Sequence, residues 1–216
     1  MARKAMTIAY AVGDGLYLNV TNRCPCACEF CIRKEGDGAY GSSPLWLERE
    51  PTADEIVAAA EAAEPWRFRE IVFCGYGEPT ERLDTVLEVA RRLKSLHPDL
   101  PIRVNTNGLS DLIAGAPTAA RFAGAVDRLS VSLNAATAGE YLELCHPRFG
   151  LGSYEAMLGF AAEAKRHVPS VVLTVVASEG FTPEKEAACR AVAARVGVPL
   201  RVRKFIAGAQ AGKGES

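Results

Sequence analysis

Four cysteines, Cys24, Cys26, Cys28 and Cys31, fall within the single stretch "CPCACEFC". Thiolates are soft ligands, and several on one flexible segment can wrap an iron–sulfur cluster or a zinc ion. Disulfides are the competing use. The chain has 7 cysteines, an odd count, and its start, "MARKAMTIAYAVGDG", has no apolar core with a cleavage site behind it. Together these predict no secretory signal and a reducing, cytoplasmic setting, where a disulfide scaffold loses its rationale. Structural zinc usually takes two separated CxxC pairs. Only Cys28 and Cys31 form one, with Cys145-His146 as a weak second half. Inert packing fits worse, because Arg23, Pro25, Glu29, Arg33 and Lys34 surround the thiols. Spacing alone leaves two ligand sets open: Cys24, Cys28 and Cys31 as CxxxCxxC, or Cys26, Cys28 and Cys31 as CxCxxC.

Three further segments have residue types suited to chemistry: "GYGEPT" (Gly75 to Thr80), "NTNG" (Asn105 to Gly108) and "SLNA" (Ser132 to Ala135). The elements that must position them follow from periodicity. "TIAYAV" and "LYLNVT" read as two strands about a Gly-Asp-Gly turn. "TADEIVAAAEAAEPW" begins a helix at Thr52, with Glu55 completing a capping box. Strands are predicted at 16–21, 70–75, 101–106, 128–134, 171–177 and 200–206, with helices between them and a helical stretch near 117–125. That rhythm means repeated βα units and a mainly parallel sheet. Six units in 216 residues are fewer than a closed eight-fold barrel requires, so a partial barrel or an open sheet is expected. In either, ligands collect beyond the carboxyl ends of the strands. The cysteine segment follows strand one, "GYGEPT" strand two, "NTNG" strand three and "SLNA" strand four. One face therefore gathers all four.

This combination resembles the radical S-adenosylmethionine (SAM) superfamily. CxxxCxxC with Phe30 before the last thiol resembles its cysteine signature, and "GYGEP", some forty residues on, resembles its GGEP motif. The likeness covers about 16–206. Among subfamilies, "YLNVTNRCP", "CIR", "GYGEPT" and "YLELCHPRFG" look most like the TatD-associated radical SAM proteins.

The resemblance implies an α/β fold, a partial (β/α)6 barrel with an N-terminal hairpin strand, in one domain over 1–206 before a disordered tail at 207–216. It implies a 4Fe-4S cluster on Cys24, Cys28 and Cys31, since Phe30 and the upstream strand fit the longer loop, leaving Cys26 a spectator. One iron then lacks a protein ligand and is chelated by the amino and carboxylate groups of SAM. Reductive cleavage gives a 5′-deoxyadenosyl radical that abstracts hydrogen from an unidentified small molecule or protein. Phe30 would lie against the adenine. Gly75 and Gly77 would let backbone approach the methionine part. Glu78 would accept from the SAM ammonium or support its loop, and Pro79 would stiffen the exit. Ser132 and Asn134 would reach the ribose or methionine end, and Arg203 a carboxylate. Asn105 stands where glycyl-radical activases and carboxydeazaguanine synthases carry Asp or Glu. Cys145 is a candidate substrate-site or relay thiol, whereas Cys74 and Cys189 read as core. An electron donor such as flavodoxin or ferredoxin is implied. A non-catalytic iron–sulfur module is the alternative, and it would need a fourth thiolate, from Cys26 or Cys145.

Charge and hydropathy narrow the partners. A net charge of -1 leaves no basic footprint for nucleic acid. No apolar run approaches the roughly 18 residues of a membrane span.

Overall fold

The computed structural model describes residues 4–39, 41–177 and 180–204, which fall into two compact units. The first comprises 4–24 and 31–104. Its elements are β1 (Lys4–Ala5), β2 (Ala9–Val12), β3 (Gly15–Leu18), β4 (Trp46–Leu47), α1 (Ala53–Ala62), β5 (Glu70–Phe73), α2 (Leu83–Leu96) and β6 (Ile102–Thr106). β6 passes into the second unit at Asn105.

β2 and β3 form the predicted antiparallel hairpin, with Val12 opposite Gly15. The turn needs a left-handed residue, and Gly13 provides it at φ +53°. β3, β5 and β6 then run parallel, with Leu16 beside Ile71 and Ile71 beside Ile102, and Leu18 beside Phe73 and Phe73 beside Val104. These six side chains share one face by strand alternation and are all buried. α1 packs on β3 and on α2, and its predicted capping box is present: Thr52 Oγ1 accepts from the Glu55 N–H, and Glu55 accepts from the Thr52 N–H. On the opposite face Tyr17, Val72 and Arg103 lie in one row, where Arg103 donates to Glu70 at 2.6 Å.

The second unit comprises 25–30 and 105–204 of the described residues. It holds α3 (Ser110–Ala114), β7 (Arg128–Ser132), α4 (Ala138–Cys145), α5 (Ser153–Ala164), β8 (Ser170–Ala177), α6 (Pro183–Val196) and β9 (Leu200–Lys204). β7, β8 and β9 are parallel, with Val131 beside Leu173 and Leu173 beside Leu200. α5 packs against β8, α4 and α6.

The fold is therefore α/β with mainly parallel strands, and no closed barrel forms among the described residues. The six predicted parallel strands correspond to β3, β5, β6, β7, β8 and β9. The short pairing of β1 with β4 was not expected, and three helical details differ from the sequence expectation. The stretch at 117–125 contains only a 3₁₀ turn, Ala119–Phe122, and α3 and α4 were not foreseen. Both are too short for an apolar period to stand out, and α4 contains Gly139. The predicted end of the last strand at 205–206 and the tail at 207–216 lie outside the described residues. Among the described residues no helix is long and apolar enough to cross a membrane.

Candidate active site

The first unit supplies the approach to the cysteine segment. Beyond β3, Asn19 and Thr21 are buried although polar, because each has fixed partners. Asn19 Nδ2 donates to the Leu45 carbonyl at 2.7 Å, and Thr21 Oγ1 donates to Glu50 at 2.6 Å. Asn22 pairs with Leu47 like an added strand residue, its amide donating to the carbonyl at 2.8 Å and accepting from the N–H at 3.0 Å. Arg23 donates to Glu50 at 2.7 Å. These residues fix the backbone leading into Cys24, and sequence reasoning missed all of them. The available signal was their polarity inside the otherwise apolar "YLNVTNR".

The "GYGEP" segment leaves β5 and packs against the same stretch. A Cβ on Gly75 would sit 2.1 Å from Asn19 Oδ1, and one on Gly77 would sit 2.3 Å from the Thr21 carbonyl oxygen. The space those two glycines free is filled by protein. The Glu78 N–H donates to the Arg23 carbonyl at 2.8 Å, joining the two segments directly. The Glu78 carboxylate is buried and caps the turn at Pro79–Arg82, accepting from the Thr80 N–H at 3.0 Å and hydroxyl at 2.8 Å. Of the two roles expected for Glu78, loop support is thus visible. Pro79 is buried at the first position of that turn.

Tyr76, the residue that interrupts the usual GGEP, is buried and turned into a small cluster with Ala39, Leu45 and Trp46. Its ring meets Trp46 edge-on at 5.2 Å, and its hydroxyl donates to the Gly36 carbonyl at 2.7 Å. Burial, reinforced by the negative charges of Asp37 and Cys31, pushes its phenol up to about 12. The Arg33 guanidinium donates to the Tyr76 carbonyl at 3.3 Å, tying the loop to the turn that follows Cys31.

In the second unit, residues 25–30 lie along the end of α4. A helix C-terminus leaves carbonyls without intrahelical partners. Here the Ala27 N–H donates to the Cys145 carbonyl at 3.0 Å and the Glu29 N–H to the Leu144 carbonyl at 2.9 Å, while the Arg148 N–H returns to the Pro25 carbonyl at 2.8 Å. The Cys28 thiol donates to the Cys145 carbonyl at 3.8 Å. Glu29 and His146 pair at 2.5 Å.

The seven thiols separate by environment. Cys24, Cys28 and Cys31 are partly exposed, and Cys26, Cys145 and Cys189 are buried. Cys26 Sγ accepts from Asn107 Nδ2 at 3.7 Å. Cys145 Sγ accepts from Asn134 Nδ2 at 3.4 Å. Burial, and then the charges of Cys26, Cys145 and Cys28, raise the neighbouring Tyr141 phenol. Cys74, expected in the core, is only half-buried. It lies two residues beyond Val72, on the polar face with Tyr17 and Arg103.

Phe30 and Asn134 line one cavity of about 530 Å³ together with Thr137, Leu144, Val176 and Phe181. That volume suits a small-molecule ligand. Asn134 adopts φ +61°, a left-handed conformation that Asn tolerates better than most residues, and its Oδ1 is buried without a hydrogen-bond partner. The other expected SAM contacts are less convergent. Ser132 ends β7 opposite Thr174, Asn105 lies in β6, and Arg203 is exposed on β9 opposite Val176.

Soft, partly exposed thiols at Cys24, Cys28 and Cys31 have the donor chemistry an iron–sulfur cluster requires. Cys24 and Cys31 belong to the first unit and Cys28 to the second. Among the described residues no three Cys, His, Asp or Glu side chains stand grouped as a metal cage, so the ligand assignment rests on spacing and exposure.

Comparisons with known proteins bear directly on this arrangement. A family model described as the radical SAM superfamily matches residues 18–192. The chain belongs to the radical SAM superfamily. A GTP 3′,8-cyclase from Lactiplantibacillus plantarum is 29% identical over 77% of this chain and 46% of its own length. The chain thus spans about half the length of the curated relatives it matches. A radical SAM methyltransferase from Sphaerobacter thermophilus superposes with a TM-score of 0.61 at 20% identity, covering 94% of this chain and 72% of that one. Streptococcus suis SuiB bound to S-adenosylmethionine gives 0.58 at 13% identity, covering 93% and 43%. At these identities the structural likeness shows the fold.

Proposed function

We propose that the chain is a radical SAM enzyme in which Cys24, Cys28 and Cys31 ligate a 4Fe-4S cluster and SAM occupies the cavity lined by Phe30 and Asn134. The observation that carries the reading is that these two residues, far apart in sequence and both expected to contact SAM, line one ligand-sized cavity. Cys24, Cys28 and Cys31 would hold the cluster, which would supply one-electron reduction of bound SAM and, through it, hydrogen abstraction from substrate. The chain's own share is placement. The hydrogen bonds at Asn19, Thr21 and Asn22 hold the approach to Cys24, the end of α4 holds 25–30, and Phe30, Leu144, Val176 and Phe181 give the cavity an apolar wall.

The family match runs from 18 to 192, through both compact units, which supports a single radical SAM domain over 1–206. The non-catalytic iron–sulfur alternative would draw a fourth thiolate from Cys26 or Cys145. Both are buried and hydrogen-bonded to asparagines, which disfavours it. The TatD-associated likeness rests on short segments, whereas the curated relatives favour a second reading, a purine nucleoside triphosphate as substrate. A flavodoxin- or ferredoxin-type donor is proposed as reductant. Anaerobic reconstitution followed by electron paramagnetic resonance (EPR) of the reduced protein tests the reading. A cluster spectrum that changes on adding SAM supports it, and a spectrum indifferent to SAM favours the non-catalytic module.

A further inference from the structure

Cys145 was singled out in the sequence as a thiol that could meet substrate. Its surroundings indicate a different use. It closes α4 and is only 1% exposed. The next residue, His146, turns the chain at φ +43°, so the helix cannot continue and its last carbonyls need outside partners. The segment carrying Cys28 provides them, through the Ala27 and Glu29 N–H groups. On its other side the Cys145 sulfur accepts from Asn134 Nδ2 at 3.4 Å. Asn134 also lines the cavity, and its Oδ1 has no partner. A primary amide held by its nitrogen has its oxygen direction fixed as well.

We infer that Cys145 is a positioning residue. Its carbonyl holds the cluster-binding segment, and its sulfur holds the Asn134 amide so that Oδ1 is left to accept a hydrogen bond from the ligand in the cavity. SAM offers such donors in its ribose hydroxyls and its amino groups. One residue thereby couples the placement of Cys28 to the orientation of a SAM contact. The inference rests on the radical SAM reading of this cavity. It assigns no bond-making step to the thiol.

The backbone carbonyl survives any side-chain change, so substitutions isolate the sulfur. Cys145→Ala removes the acceptor, and Cys145→Ser restores one of similar size. Asn134→Gly removes the amide while suiting the left-handed backbone. Iron content, thermal unfolding and SAM affinity by equilibrium dialysis are measured on the anaerobically reconstituted proteins. Cys145→Ala is expected to keep its iron and weaken SAM binding about 5- to 20-fold, the loss of one oriented hydrogen bond. Cys145→Ser should recover most of that affinity. On the Asn134→Gly background, Cys145→Ala should weaken SAM binding no further. Unchanged affinity in Cys145→Ala overturns the inference, as does a full additional loss on the Asn134→Gly background. If Cys145→Ala does not fold, Cys145→Ser alone decides: wild-type affinity upholds the inference, and a loss equal to that of Asn134→Gly overturns it. Wild-type protein that takes up iron but binds no SAM removes the radical SAM reading itself, an outcome distinct from all of these.

Discussion

A methyl group on Gly75 would lie 2.1 Å from Asn19 Oδ1, and the same addition at Gly77 would lie 2.3 Å from the Thr21 carbonyl oxygen. The two glycines differ in what must give way. Asn19 is a side chain and can swing aside at the cost of its bond to Leu45. The obstacles to Gly77 are main-chain atoms of Thr21 and Arg23, which cannot move without displacing the approach to Cys24. Gly77→Ala is therefore expected to destabilise the protein by about 2–3 kcal/mol and to reduce iron uptake, with Gly75→Ala milder on both counts. Urea unfolding with iron analysis checks the ranking. Equal effects, or a harmless Gly77→Ala, would contradict this packing.

The thiol environments make a second prediction. Cys24→Ala, Cys28→Ala and Cys31→Ala should each lose most of the roughly four irons expected per chain. Cys26→Ala should retain them and cost on the order of 1 kcal/mol in stability, since it removes a small buried group from beside Asn107. Iron loss in Cys26→Ala with retention in Cys24→Ala would reassign the ligand set to Cys26, Cys28 and Cys31.

Much of this was readable in advance, for physical reasons that differ from residue to residue. Cysteine spacing, the capping box at Thr52 and Glu55 and the Gly13 turn are local signals, each contained in a few residues. The strand rhythm is set by short apolar runs of a few residues each, such as the one within Glu70–Phe73. The clamp on residues 25–30 was not readable. Its partners, Ala27 with Cys145 and Glu29 with Leu144, lie far apart in sequence, and it acts through main-chain groups, which carry no residue identity. The use of Gly75 and Gly77 was equally hidden. A missing Cβ shows that something approaches closely, but the sequence cannot say whether that is a ligand or, as here, Asn19 and Thr21. Tyr76 looked like an interruption of a motif. It is the anchor that pins the motif to Trp46 and Gly36.

Phe30 provides a test of the cavity. Phe30→Ala should leave iron content unchanged and weaken SAM binding by about tenfold, since an aromatic face lost from a ligand contact costs roughly 1 kcal/mol beyond its area. Equilibrium dialysis with SAM measures it. Unaltered affinity would place SAM elsewhere.

Acid stability follows from the start of α1. Glu55 accepts from Arg49 at 2.8 and 2.5 Å and from the Thr52 N–H at 2.8 Å. The Arg49 bonds first, and the Thr52 bond next, hold its carboxyl at about 2 instead of 4.5. A carboxylate with a depressed folded-state pKa contributes stability that is fully present above the unfolded value and lost as pH falls through the folded one. Glu55→Gln should thus lower the melting temperature at pH 7, and the gap to wild type should close between about pH 4.5 and pH 2. Melting curves across that range decide it. A gap that persists at pH 2 would mean the ion pair is not its source.

The most direct test of the account is product analysis. The reconstituted protein, reduced under anaerobic conditions with SAM present, is assayed for 5′-deoxyadenosine alongside Cys24→Ala. The account predicts that wild-type protein forms 5′-deoxyadenosine and the variant forms none. A wild-type protein that holds about four irons yet forms no 5′-deoxyadenosine from SAM would contradict it.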